Sequence, residues 1–117
     1  MNTINRDELK ALIETKGDYI LIDVRETHEM QYGAIPTAHN LPMSDFIEAF
    51  SSSATEFKEH YSFDKPAKNA HIILYCRSGN RSAQATLYLS SVGYTNVKNY
   101  NGSILDWAKI DPNVHMY

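Results

Sequence analysis

The chain has 117 residues, 43% hydrophobic and 21% charged, with 11 Lys and Arg against 14 Asp and Glu for a formal net charge of −3. That length suits one domain, residues 1–117, built on a single core. The charge excludes a general attraction to nucleic acid or anionic membrane, no apolar run approaches the ~20 residues of a membrane span, and one cysteine permits no internal disulfide, as suits a reducing compartment.

Met1 to Glu8 carry acidic side chains and no apolar signal core, so neither a signal nor a transit peptide is expected. Helical structure is predicted almost at once. Asn5 can cap a helix whose third residue is Glu8, Ile4 and Leu9 are placed as a hydrophobic staple, Leu9, Leu12 and Ile13 form the apolar stripe, and Gly17 ends it. Tyr19 to Ile22 reads as a buried strand arriving at Asp23-Val24-Arg25. A helix from about Glu26 to Tyr32 follows, stopped by Gly33 and a turn at Pro36. Asp23, Arg25 and Glu29 read as an ion-pair network pinning this loop, since Arg fits carboxylates bidentately.

Ala38 to Leu41 reads as a short strand and Pro42 to Phe50 as a helix capped by Ser44. Ser51 to Thr55 is a brief polar break, and Ser53 with Glu56 has capping-box spacing for a helix through Tyr61. Phe46, Phe50, Phe57 and Tyr61, at helical spacing, are expected in the core rather than at a substrate mouth. Late in the chain, Val97 to Tyr100 reads as a strand, Asn101-Gly102 as a turn, and Ser103 with Asp106 as the cap of a last helix bearing Ile104, Leu105 and Trp107. Strands and helices alternating at short spacing predict a parallel α/β domain with right-handed crossovers.

The stretch Ile72-Ile73-Leu74-Tyr75-Cys76-Arg77-Ser78-Gly79-Asn80-Arg81-Ser82 carries the chemistry. Its apolar start reads as a strand buried on both faces. From Ser82, Ala85, Tyr88, Leu89 and Val92 repeat at helical spacing until Gly93. The loop between links a strand's carboxyl end to a helix's amino end, where parallel sheets keep their sites and where unpaired N–H groups and the positive helix dipole converge. Arg77 and Arg81 beside the thiol are expected to pull its pKa below the usual ~8.5. Gly79 permits positive φ, so the backbone can curl into an anion nest. A lone cysteine is most often a small core residue, but a core cysteine seldom precedes a loop of this polarity.

The loop is similar to that of the single-domain rhodaneses, the thiosulfate-type sulfurtransferases, whose pattern of Cys, Arg, any residue, Gly, any residue, Arg, Ser stands here as Cys76 to Ser82. Asp23-Val24-Arg25, Glu29 and Gly33-Ala34-Ile35-Pro36-Thr37-Ala38 resemble a second family signature, and Tyr100-Asn101-Gly102-Ser103 to Trp107 a weaker third. Ala34 stands where the family has His, and Thr37 and Ser103 where it has Gly. The resemblance spans Asn5 to Lys109, and the surroundings of Phe57 to Tyr61 and Lys65-Pro66 look most like eukaryotic relatives of the thiosulfate:glutathione sulfurtransferases.

The resemblance implies a rhodanese-like α/β fold, a central parallel sheet of about five strands flanked by helices on both faces. It implies a Cys76 nucleophile with a donor site formed by Arg77, Ser78, Gly79, Asn80, Arg81 and Ser82. The expected donor is thiosulfate and the expected acceptor a thiol such as glutathione or thioredoxin, or cyanide. Asp23, Arg25 and Glu29 are given a structural role. No cofactor, metal, nucleic-acid or membrane partner is expected, and His28, His39, His60, His71 and His115 lack metal-type spacing. The expected location is cytoplasmic, with the mitochondrion as the alternative. Two rival readings are a binding module on the same fold and a phosphatase or arsenate reductase. The latter use a longer loop between Cys and Arg, whereas only Arg77 to Asn80 intervene here. A redox-sensing thiol is a further alternative, without a second cysteine to resolve it.

Overall fold

A computed structural model describes residues 2–117. Five strands form one sheet in the order β1-β5-β4-β2-β3, with every pair parallel. They are β1 (Thr3–Ile4), β2 (Ile20–Asp23), β3 (His39–Asn40), β4 (Ile72–Tyr75) and β5 (Val97–Tyr100). The helices are α1 (Arg6–Glu14), α2 (Met43–Ser51), α3 (Ala54–Tyr61), α4 (Asn80–Ser91) and α5 (Ser103–Trp107), with a 3-10 helix over Thr27–Tyr32. Among the described residues no helix is long and apolar enough to cross a membrane.

Side chains alternate across a strand, and here the alternation divides the interior into two apolar clusters. Ile22, Val24, Ile72, Leu74 and Cys76 point to one face, where Phe46, Phe50, Phe57, Phe63, Ala85 and Leu89 cover them. Leu21, Ile73 and Tyr75 point to the other, against Leu9, Ile35, Tyr100, Ile104 and Trp107. Helices α2, α3 and α4 therefore cover one face, and α1 and α5 the other. Phe46, Phe50 and Phe57 are core, with Tyr61 packed against them.

The cap of α1 forms as its residues predict: Asn5 Oδ1 accepts from the Glu8 amide, and Glu8 returns the bond to the Asn5 amide. Ser53 Oγ likewise accepts from the Glu56 amide at the start of α3, but the Glu56 carboxylate takes its bond from the Ser53 hydroxyl rather than from the Ser53 amide. Other expectations are corrected. Thr3–Ile4 is a strand rather than helix lead-in, because it pairs with Asn99 and Tyr100, a partner far along the chain that a two-residue pattern cannot announce. The left-handed residue after α1 is Lys16 (φ 53), not Gly17.

Thr27–Tyr32 winds as a 3-10 rather than an α-helix and ends at Gly33 (φ 95), where a Cβ would press on the Asn113 carbonyl. Ser44 does not cap α2; its hydroxyl donates to Glu26 Oε1 at 2.8 Å. Helix α4 begins at Asn80, ahead of Ser82, and its buried side is Ser82, Ala85, Thr86 and Leu89, leaving Val92 exposed. Ser103 and Asp106 do not cap α5, since both side chains are engaged elsewhere.

The register sets Asp23 beside Tyr75, and the Val24 amide donates to the Tyr75 carbonyl at 2.9 Å. The chain leaving β2 and the chain leaving β4 thus run side by side at the carboxyl edge of the sheet. The core beneath them is dense in aromatic contacts: Phe57 is fully buried and meets Phe50 and Phe63 edge-on. Phe57→Ala should lower stability by about 3–5 kcal/mol in urea unfolding; a loss under about 1 kcal/mol would mean the neighbouring rings close the cavity.

Candidate active site

Cys76 follows the last residue of β4, and its sulfur lies inside the turn leading to α4, only 1% exposed. Gly79 adopts φ 101 at the start of α4, which turns its N–H onto Cys76 Sγ at 3.0 Å. A side chain there would also collide with the Asn101 carbonyl. The Ser82 hydroxyl, buried in the first turn of α4, lies 3.4 Å from the sulfur and 3.2 Å from the Gly79 carbonyl. Asn99 Nδ2 donates to that carbonyl from β5 at 3.3 Å. From beneath, Ser103 Oγ accepts from the Cys76 amide at 3.1 Å and donates to the Tyr100 carbonyl at 2.8 Å.

Burial pushes the Cys76 thiol up, but the Ser82 hydroxyl and then the amides of Ser82, Gly79 and Ser78 favour the anion more strongly. The thiol pKa is accordingly held below its ordinary value. These donors are the main cause, and the charge of Arg81 adds a smaller pull in the same direction.

Arg81 faces Glu29 from the 3-10 helix: Nη1 donates to Oε2 at 2.6 Å and Nη2 to Oε1 at 3.0 Å. It is therefore not a free cation awaiting an anion. Because Arg81 donates to it, and despite partial burial, the Glu29 carboxyl is lowered to about 2. Arg25, fully buried, grips Asp23 through Nε and Nη2, the latter at 2.7 Å, and donates to the Gly33 carbonyl at 2.8 Å. The expected network exists, but it holds two pairs, Asp23 with Arg25 and Glu29 with Arg81, rather than Arg25 shared between both acids. Of the remaining loop residues, Arg77 is half-buried, Ser78 and Asn80 are exposed, and Asn80 opens α4.

The structure brings in three residues that sequence reasoning did not place at the site. Ser103 had a signal, standing where relatives carry Gly. It holds φ 56, and Thr37, the other such position, holds φ 77, so both keep the left-handed backbone that glycine favours. Asn99 is a buried amide in β5, between Lys98 and Tyr100. Tyr117 had no signal: its ring stacks on Tyr32 at 4.2 Å, and its hydroxyl lies between Arg25 and Glu29. Clefts lined by Ile13, Tyr19, Ile20 and His39, and by Asp18, Asn69 and His71, sit at the opposite end of the sheet from Cys76. The thiol is served by a small cradle of donors rather than by these clefts.

Residues 5–110 match the rhodanese-like domain. The chain belongs to the rhodanese family. The human thiosulfate:glutathione sulfurtransferase is 36% identical over 92% of this chain and 93% of its own. A mitochondrial Schizosaccharomyces pombe protein named for thiosulfate sulfurtransferase activity is 46% identical over 76% of this chain, which spans 63% of that relative's length. A solved human single-domain sulfurtransferase superposes with a TM-score of 0.89 at 33% identity, covering 95% of this chain and 98% of the other. The central parallel sheet flanked by helices on both faces is thus the rhodanese-like fold.

Two measurements probe this rhodanese loop. Ser82→Ala should move the pH profile of Cys76 alkylation to higher pH; an unmoved profile would assign the anion's stability to the backbone amides alone. Glu29 has a folded-state pKa of about 2 against 4.5 for the free carboxyl, so the stability it confers is complete above about 4.5 and lost as pH falls toward about 2. Urea titrations should therefore show Glu29→Gln less stable than the parent at neutral pH, with the gap closing across that acid window. A gap independent of pH would show that the pair does not act through charge.

Proposed function

We propose that this rhodanese is a thiosulfate sulfurtransferase acting through a persulfide on Cys76. The observation that carries the reading is the approach of the Gly79 amide and the Ser82 hydroxyl to the Cys76 sulfur at the strand-to-helix junction, where they favour its anionic form. The same donors suit a second sulfur placed one bond further out.

The Cys76 thiolate attacks the outer sulfur of thiosulfate. A new S–S bond forms, the old one breaks with its electron pair going to sulfite, and the enzyme keeps a persulfide anion. An acceptor thiolate then attacks the outer sulfur, carries it away as its own persulfide, and restores the Cys76 thiolate. Neither half-reaction needs a cofactor or a metal. Arg77 and the loop amides from Ser78 to Ser82 receive the anionic donor, with Asn80 at the open side. Arg81, its charge matched by Glu29, fixes the start of α4 rather than supplying net attraction.

Glutathione is the first acceptor to test, supported by the name of the human relative; thioredoxin and cyanide share the required nucleophilicity. A cytoplasmic location is our reading, with the mitochondrion as the alternative supported by the Schizosaccharomyces pombe relative. The single domain spanning residues 1–117 rests on the one continuous sheet covered on both faces.

Intact mass after mixing with thiosulfate should show a gain of one sulfur atom that glutathione removes, and Cys76→Ser should gain none while remaining folded. Turnover by the Ser variant would remove the mechanism. Absence of the adduct with any sulfane donor would favour a binding module, and hydrolysis of an aryl phosphate would favour phosphatase chemistry.

A further inference from the structure

The segment from Asp111 onward folds back across the loop that follows β2. Val114 is buried against Gly33, the His115 amide donates to the Tyr32 carbonyl at 2.8 Å, and Tyr117 is laid flat on Tyr32 with its ring 8° from parallel. The Tyr117 hydroxyl accepts from Arg25 Nη1 at 3.2 Å and donates to Glu29 Oε1 at 2.9 Å. One neutral side chain therefore joins the Asp23–Arg25 and Glu29–Arg81 pairs into a single hydrogen-bonded series.

The charges along that series cancel, two acids against two arginines. Arg77 stands outside it. Among the described residues its guanidinium forms no ion pair, and what it meets is the face of Tyr117, with Cζ 5.0 Å from the ring centroid. A long, unpaired side chain has many rotamers to lose on binding an anion. A fixed aromatic face with its negative quadrupole restricts those rotamers without neutralising the charge. Tyr117 is suited to this because both its ring and its hydroxyl are held.

We infer that Tyr117 is a positioning residue for the sulfur donor: its ring holds the Arg77 guanidinium at the edge of the Cys76 loop, ready for the sulfonate end of thiosulfate. This rests on the sulfurtransferase reading for its ligand, and it makes the enzyme selective for donors that carry an oxyanion next to the transferred sulfur. The hydroxyl has a separate task, keeping Glu29 on Arg81.

The test separates ring, hydroxyl and Arg77. Calorimetric titration of thiosulfate into the Cys76→Ser protein gives the reference affinity. Adding Tyr117→Leu, which keeps apolar volume without the aromatic face, should weaken binding about threefold to tenfold, and Tyr117→Phe should restore it to within about twofold. In an Arg77→Ala background Tyr117→Leu should add no further loss, a coupling that a merely structural role would not produce. In turnover by proteins retaining Cys76, Tyr117→Leu should raise KM for thiosulfate and leave kcat at saturating donor unchanged.

Unchanged thiosulfate affinity in Tyr117→Leu, or an equal loss with and without Arg77, would overturn the inference, as would an Arg77-dependent loss that Tyr117→Phe fails to rescue. So would absence of thiosulfate binding by the reference protein. Failure of the wild-type protein to acquire sulfur would instead overturn the sulfurtransferase reading, while the titration would still decide the role of Tyr117.

Discussion

Burying Cys76 removes its sulfur from water, and an anion there persists only if the protein supplies the lost hydrogen bonds. Much of the carboxyl edge of the sheet is arranged around that requirement. Strand β4 delivers the cysteine, Gly79 takes a backbone conformation that aims its amide inward, and α4 starts one residue later so that the Ser82 hydroxyl reaches the sulfur. Asn99 and Ser103 hold the turn itself, one through the Gly79 carbonyl and the other through the Cys76 amide. The donors are mostly backbone groups and short hydroxyls, which leave room for a small ligand where longer side chains would fill the space.

A second layer fixes the first. The Arg25 guanidinium is fully buried, and its fork onto Asp23 together with the bond to the Gly33 carbonyl matches its donors to acceptors inside the protein. Glu29 and Arg81 repeat the arrangement closer to the surface and tie the 3-10 helix to the first turn of α4. Loss of either acid would leave an arginine without its counter-charge, a larger perturbation than loss of an exposed ion pair. The loop after β2 therefore acts as a brace for the loop after β4, although the two are far apart in the chain.

The parts legible in the sequence were those written in local code. The capping residues of α1 and α3, the apolar run of β4 and the Gly79 turn each depend on residues within a few positions of one another, and each has its expected place in the structure. What was misread depended on partners elsewhere in the chain. Ser44 and Ser103 have the chemistry of helix caps, yet Glu26 and the Cys76 amide claim their hydroxyls. Arg81 keeps the charge of an anion receptor while pairing with Glu29, a partner that spacing alone does not announce. Tyr117 lies at the site through a fold-back that no local pattern encodes. Polar side chains of this kind carry no periodicity, so spacing cannot assign their partners.

Ser103 sits in left-handed backbone at φ 56, a conformation that costs a non-glycine residue about 1–2 kcal/mol. Its hydroxyl is also the acceptor for the amide of Cys76. The easiest substitution for the backbone at this position is glycine, and glycine also leaves the cysteine amide without its partner. Selection for a more stable chain and selection for a well-held sulfur thus pull this codon in opposite directions.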